Sequence, residues 1–206
     1  MRATSPAGGR MTEPRGTSTV PSTPAEPPGY PSWLARDVAL LDGRSVFLRP
    51  VLPTDVDELR RAIAEADPET VRSRFLGGRP PTSDHEIARL VDVDYNRRLA
   101  VVALLPDGRG VGIARYEAGA ETDIAEVAVA VDPQWRHVGL ASALVRLLTA
   151  GAVRNGIHRF SADFFDANLD VRDLFADTGL SYQTTAATSG VVTAEVTLPT
   201  DATDLL

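Results

Sequence analysis

Apolar residues recur along this chain with two periods, and the sharpest change of period falls between residues 124 and 156. From Ile124 to Val131 β-branched and small residues alternate without Gly or Pro, which predicts a strand. From Leu140 the period lengthens: Leu140, Leu144, Leu147, Leu148 and Gly151 recur at helical spacing, with Arg146 and Arg154 off the stripe. Asn155-Gly156 supplies a helix stop, because Gly tolerates the left-handed conformation of a terminating residue. The turn between strand and helix reads Asp132-Pro133-Gln134-Trp135-Arg136-His137-Val138-Gly139.

The same reading extends over the rest of the chain. Residues 45–50 predict a strand stopped by Pro50. Thr54 is the expected cap of a helix with Val56, Leu59 and Ile63 on one face. Pro68 suits the first position of a second helix that runs to about Phe75 and stops at Gly77-Gly78. Ser83-Asp84-His85-Glu86 is a capping box, opening a short helix with Ile87, Leu90 and Val91 inward. Strands at 99–105 and 111–118 are joined by Pro106-Asp107-Gly108-Arg109, a hairpin signal. Beyond the long helix come a strand at 157–165, a helix at 168–177 and a closing antiparallel pair at 180–185 and 191–198. The order β-α-α-β-β-β-α-β-α-β-β predicts an α/β fold, with helices on the faces of a mixed sheet.

Composition bounds the chain further. Its 206 residues suffice for one domain, expected over 36–200, with a short C-terminal tail at 201–206. Residues 1–35 carry seven of the 15 prolines among Ser, Thr, Gly and Ala, a composition expected to stay disordered, with Tyr30 and Trp33 docking at its end. Met11 is a second candidate start. Without cysteine there is no disulfide, thiolate metal site or cysteine nucleophile. A net charge of −7 argues against a nucleic-acid partner and favours a cationic one. No apolar run approaches the roughly 20 residues of a membrane span, and no signal-peptide core is visible. The expectation is a cytoplasmic protein without a membrane partner. His85, His137 and His158 make no metal-ligating spacing, so no metal is expected.

A strand that feeds a helix through Arg136-x-x-Gly139-x-Ala141 is suited to holding an anion. Free N–H groups and the positive dipole end meet at the helix start, Gly139 and Ala141 allow close approach, and Arg136 adds a guanidinium fork. The plainer alternative is a helix start whose small residues pack on the sheet. The run Arg136-His137-Val138-Gly139-Leu140-Ala141 resembles the (Gln/Arg)-x-x-Gly-x-(Gly/Ala) signature of the GNAT superfamily of N-acetyltransferases. The resemblance covers roughly residues 45–198.

That resemblance implies an acyl-CoA N-acyltransferase fold, acetyl-CoA as cosubstrate and a primary amine as acceptor. It makes Arg136, His137, Val138, Gly139, Leu140, Ala141 and Ser142 the pyrophosphate loop. The backbone of Val129 and Val131 would meet the pantetheine arm and thioester. Asn168 opens a run similar to the family's Asn-x-x-(small)-x-x-Leu-Tyr-x-x-x-Gly-Phe pattern and would also bind the pantetheine. Where that pattern has the Tyr that protonates the leaving thiolate, this chain has Phe175, which has no proton to give. Glu126 is the only acidic residue inside the 124–131 strand and shares a face with Ile124, Ala128 and Ala130, so it is the expected general base. Arg72-Ser73-Arg74-Phe75 and the run from Val93 to Arg98 are similar to bacterial Pat-type protein lysine acetyltransferases. The acceptor implied is a lysine of a metabolic enzyme, with a small amine second and a non-catalytic acyl-CoA sensor third. A monomer or homodimer is expected.

Overall fold

The computed structural model describes residues 26–120, 122–202 and 205. Eight strands form one sheet: β1 (Arg36–Ala39), β2 (Ser45–Pro50), β3 (Arg98–Leu104), β4 (Gly110–Ala118), β5 (Ile124–Val131), β6 (Arg159–Phe165), β7 (Ser181–Thr188) and β8 (Val191–Thr197). Five helices accompany them: α1 (Val56–Glu65), α2 (Pro68–Arg74), α3 (Asp84–Val91), α4 (Leu140–Arg154) and α5 (Leu169–Thr178). The spatial order is β1-β2-β3-β4-β5-β6-β8-β7, and every neighbouring pair is antiparallel except β5 with β6. A mixed α/β sheet is what the pattern predicts, with two differences. The hairpin strand β1 precedes the expected first strand, and the helix opened by the Ser83–Glu86 capping box stands as a third between β2 and β3, where the predicted order counts two.

Alternation along β3 builds two cores. Leu99, Val101 and Ala103 join the larger core with Leu144 and Leu148 of α4. Ala100 and Val102 join the smaller one, against which Val56 and Leu59 of α1 pack. A strand buried on both faces needs apolar residues at every position, which is how β3 reads. Helix α4 lies so close to the sheet that a Cβ on Gly151 would stand 2.4 Å from Leu99 Cδ2.

Local chemistry sets the helix starts. Asp67 caps α2 by accepting from the N–H groups of Glu69 and Thr70, and Ser83 with Glu86 closes the capping box of α3. At α1 the cap position is Asp55 rather than Thr54. Its carboxylate has a stronger use: it accepts from both terminal nitrogens of Arg49 at 2.8 and 2.7 Å and from the Leu52 N–H at 2.7 Å. Both partners are only 15% exposed. Asp55→Ala would strand a largely buried guanidinium and is expected to cost about 3 kcal/mol in urea unfolding.

The tail expected over 1–35 falls mostly on residues 1–25, outside the described residues. The packed chain starts earlier than 36. Leu34 is fully buried, Tyr30 stacks edge-on with Tyr95 at 5.5 Å, and Arg154 lies over the Trp33 ring at 4.2 Å. No helix among the described residues is long and apolar enough to cross a membrane.

Candidate active site

The site forms where β5 leaves β6. The two strands pair only at Ile124–Arg159, Ala125–Phe160 and Glu126–Ser161. Beyond that point β5 continues along β4 as far as Val131, while β6 follows β8 as far as Phe165. A wedge therefore opens beside β5. The Asp132 N–H donates to Val111 O on the β4 side, so by the alternation of an antiparallel ladder the backbone groups of Val127, Val129 and Val131 face the wedge. Val129 and Val131, the expected backbone contacts, thus present N–H and C=O groups that no strand partner takes, although Val131 O accepts from Arg136 Nε at 3.4 Å.

The turn after β5 is held from two sides. The Asp132 carboxylate accepts from the Gln134 N–H, and Pro133–Trp135 forms a 3-10 turn with Trp135 buried. Arg44, from the β1–β2 turn, lies 3.8 Å from the Trp135 ring centroid and donates to Gln134 O at 3.0 Å. The Leu41 N–H donates to Val138 O at 3.0 Å, and a Cβ on Gly139 would meet Leu41 Cγ at 3.3 Å.

The chain then enters α4 through His137 at φ 58° and Gly139 at φ 83°, both left-handed. Gly139 has no side chain to cap the helix, and the first turn carries no acidic residue. A 15-residue helix thus points its free N–H groups and uncompensated dipole into the wedge.

One cavity of about 550 Å³ joins these parts. Its lining includes Glu126, Val129 and Val131 of β5, then Arg136, His137, Gly139, Ala141 and Ser142 of the loop and helix start, and Asn168 before α5. Val138 and Leu140 differ from the rest of the expected loop. Leu140 is 1% exposed and packs in the core, Val138 packs against that core, and neither lines the cavity. Their side chains pack away from the cavity and shape the turn, and Val138 O is taken by the Leu41 N–H.

Arg136 lines the cavity while its guanidinium is turned to the start of α2. Nη2 donates to Thr70 Oγ1 at 2.5 Å and stands 3.8 Å from Asp67 Oδ2. Asn168 precedes α5 without making a side-chain cap bond, so its amide is open to the cavity. Phe175 is buried between Phe164 and Tyr182, with ring centroids at 6.2 and 4.7 Å. Glu126 is exposed and engaged in no hydrogen bond or ion pair among the described residues. No group of three or more metal-ligating side chains occurs among the described residues.

Several neighbours of the site escape a pattern reading. Leu41 and Arg44 reach it from a hairpin some 90 residues away in sequence, a separation that no local motif reveals. Arg74 and Arg115 line a second cavity on the α1–α2 side of β5. Arg115 did leave a signal, since a charged residue shares its strand face with Ile113.

A sheet opened beside its central strand, leading to a bare helix N-terminus, with a free carboxylate on the opened strand, is an arrangement for holding an elongated anionic donor against a nucleophile. The model of the Acetyltransferase (GNAT) family matches residues 63–180. The chain belongs to that family and is an acyltransferase. It is 37% identical over 139 residues to the acetyltransferase PA5475 of Pseudomonas aeruginosa, covering 66% of this chain and 75% of that protein. It is 30% identical over 164 residues to acetyltransferase Pat of Mycolicibacterium smegmatis, covering 79% of this chain and 48% of Pat, so it spans about half of that relative's length. Among solved structures, the GNAT domain of S. lividans PAT superposes with a TM-score of 0.75 at 30% identity, covering 82% of this chain and 99% of that domain.

Proposed function

We propose that this chain transfers an acetyl group from acetyl-CoA to the ε-amine of a protein lysine, with Glu126 as general base. The observation that carries the proposal is the cavity running from the bare N-terminus of α4, along the β5 backbone that β6 leaves, to an exposed carboxylate. Acetyl-CoA, when bound, supplies an acyl thioester whose C–S bond breaks as the new N–C bond forms. The N–H groups at the start of α4 and the left-handed backbone at His137 fit its pyrophosphate. Asn168 fits the amides of its pantetheine arm.

The acceptor arrives as an ammonium and must lose a proton before it attacks. Glu126, free of partners on the opened strand, takes that proton directly or through a water. The backbone N–H groups of β5 that face the wedge meet the charge developing on the carbonyl oxygen. Phe175 holds no proton, so solvent returns one to the departing thiolate.

Lysine as acceptor is supported by the likeness to Pat and to the PAT domain, and by a net charge of −7 that favours cationic partners. The chain itself contains no lysine; all 21 of its Lys-plus-Arg residues are arginine. In an assay, every acetyl-lysine formed therefore belongs to the acceptor. The test is thiol release from acetyl-CoA with a panel of lysine-bearing proteins and small amines. Release with proteins and not with small amines is expected, and the reverse would replace lysine by a small-molecule acceptor. Asn168→Ala is expected to weaken acetyl-CoA roughly 5- to 10-fold in calorimetric titration, the value of one buried hydrogen bond.

A further inference from the structure

Arg74 and Arg115 border the transfer centre and have no part in the reaction described above. Arg115 stands in the middle of β4, in register with Ala128 of β5, and Arg74 ends α2. Both line a second cavity of about 390 Å³ between α1, α2 and the sheet, and Arg74 lines the first cavity as well. The Arg115 side chain is 11% exposed, and its Nη1 is buried without a hydrogen-bond partner. Its Nη2 lies 3.5 Å from Glu117 Oε2, an oxygen that also faces Arg98 Nε at 3.8 Å. Arg74 forms no hydrogen bond or ion pair among the described residues, and its guanidinium lies 5.2 Å from the Phe75 ring centroid. Three guanidinium groups thus share two carboxylates, Glu117 and Glu126, and both of those are exposed.

Burial pushes both Arg74 and Arg115 below the ordinary arginine range. Arg74 pushes Arg115 down further, while Glu117 and Glu126 only partly oppose this. Two like charges held out of water with an orphaned donor are costly for the fold unless something else completes them. Leu59, Phe75, Val102 and Ile113 make the apolar part of the cavity walls. The carboxylates that also line it, Asp55, Glu58, Glu65, Asp67 and Asp132, are engaged by Arg49, Arg61, Arg136 and the Gln134 N–H. A fitting ligand therefore joins a planar anion to a short apolar stem, and a carboxylate matches the guanidinium fork.

Building on the transfer site described above, we propose that Arg74 and Arg115 bind a carboxylate that one of the two reactants carries into the second cavity. That carboxylate belongs either to a carboxyl-terminated acyl thioester, with succinyl as the probe, or to an acceptor of amino-acid type. The first case replaces acetyl as the group transferred and the second replaces protein lysine as the acceptor; both keep the cavity and the Glu126 chemistry described above.

The test has two arms, each run by calorimetric titration on the wild-type chain and on Arg115→Met. In the acyl arm, succinyl-CoA is compared with acetyl-CoA. In the acceptor arm, L-leucine is compared with 3-methylbutylamine, without any CoA present. The proposal expects at least tenfold tighter binding of the carboxylate compound in one arm. That preference should vanish in Arg115→Met, while acetyl-CoA affinity stays within about twofold of wild type. The arm that responds identifies the source. A preference below tenfold in both arms, or one that survives the substitution, overturns the proposal. Circular dichroism checks the variant's fold, and Arg74→Met repeats the comparison if Arg115→Met unfolds. Failure of the wild type to bind any CoA thioester would sink the transfer reading instead, and the leucine arm would still decide the role of the arginines.

Discussion

Glu126→Gln is expected to lower acetyl transfer to an amine by roughly 10²–10⁴-fold while leaving acetyl-CoA affinity within about twofold. The substitution keeps the shape of the side chain and removes its capacity to take a proton. Glu126 is exposed on the opened strand and makes no hydrogen bond or ion pair among the described residues, so its loss disturbs no packing; the charge that offsets Arg74 and Arg115 is lost with it. The effect should shrink as pH rises towards the acceptor's own pKa of about 10.4, because a growing fraction of the lysine then arrives neutral. Steady-state rates between pH 7 and 10, beside a calorimetric titration, check both parts. A loss that is the same at every pH would assign Glu126 a binding role instead.

Gly139→Asp should abolish acetyl-CoA binding, by about 100-fold or more, in a chain that still folds. The backbone at Gly139 has φ 83°, and a Cβ there would press on Leu41 Cγ at 3.3 Å. Any non-glycine residue therefore carries a strain of about 1–2 kcal/mol. Aspartate adds a negative charge where the free N–H groups of α4 meet the cavity, the place proposed for the pyrophosphate. Gly139→Ala separates the two causes, since it shares the strain and lacks the charge. Alanine is expected to weaken binding far less, with a similar fall in thermal stability. Equal binding losses for the two variants would point to backbone geometry alone.

The central strand and long helix were legible because both carry unbroken periodic patterns, and β5 runs over residues 124–131 as read. The capping box of α3 and Pro68 in α2 were legible for the same reason: the chemistry that starts a helix is local. Strand β1 was not. Its four residues, Arg36–Ala39, alternate half-buried and exposed, and they gain a partner only from β2. Thr54 lost the cap position to Asp55 because the tertiary partner Arg49 fixes that turn.

At the site, residues 136–142 could be read as one motif, but a motif cannot say which side chains turn inward. Leu140 belongs to the core through its helical stripe, and Val138 packs beside it, so neither lines the cavity. The Arg136 side chain answers to Thr70 and Asp67, which lie 66 and 69 residues earlier. Arg74 and Arg115 come together only because α2 crosses β5 next to β4, a contact made by topology rather than by spacing.

The most direct measurement is mass spectrometry of acceptor proteins after incubation with the chain and isotopically labelled acetyl-CoA. Because the chain has no lysine, no labelled acetyl-lysine can come from the enzyme itself. The account predicts labelled acetyl groups on lysine ε-amines of a small set of proteins, present with wild type and absent with Glu126→Gln. Label confined to free amines or to protein N-termini, or equal labelling by both forms, would contradict it.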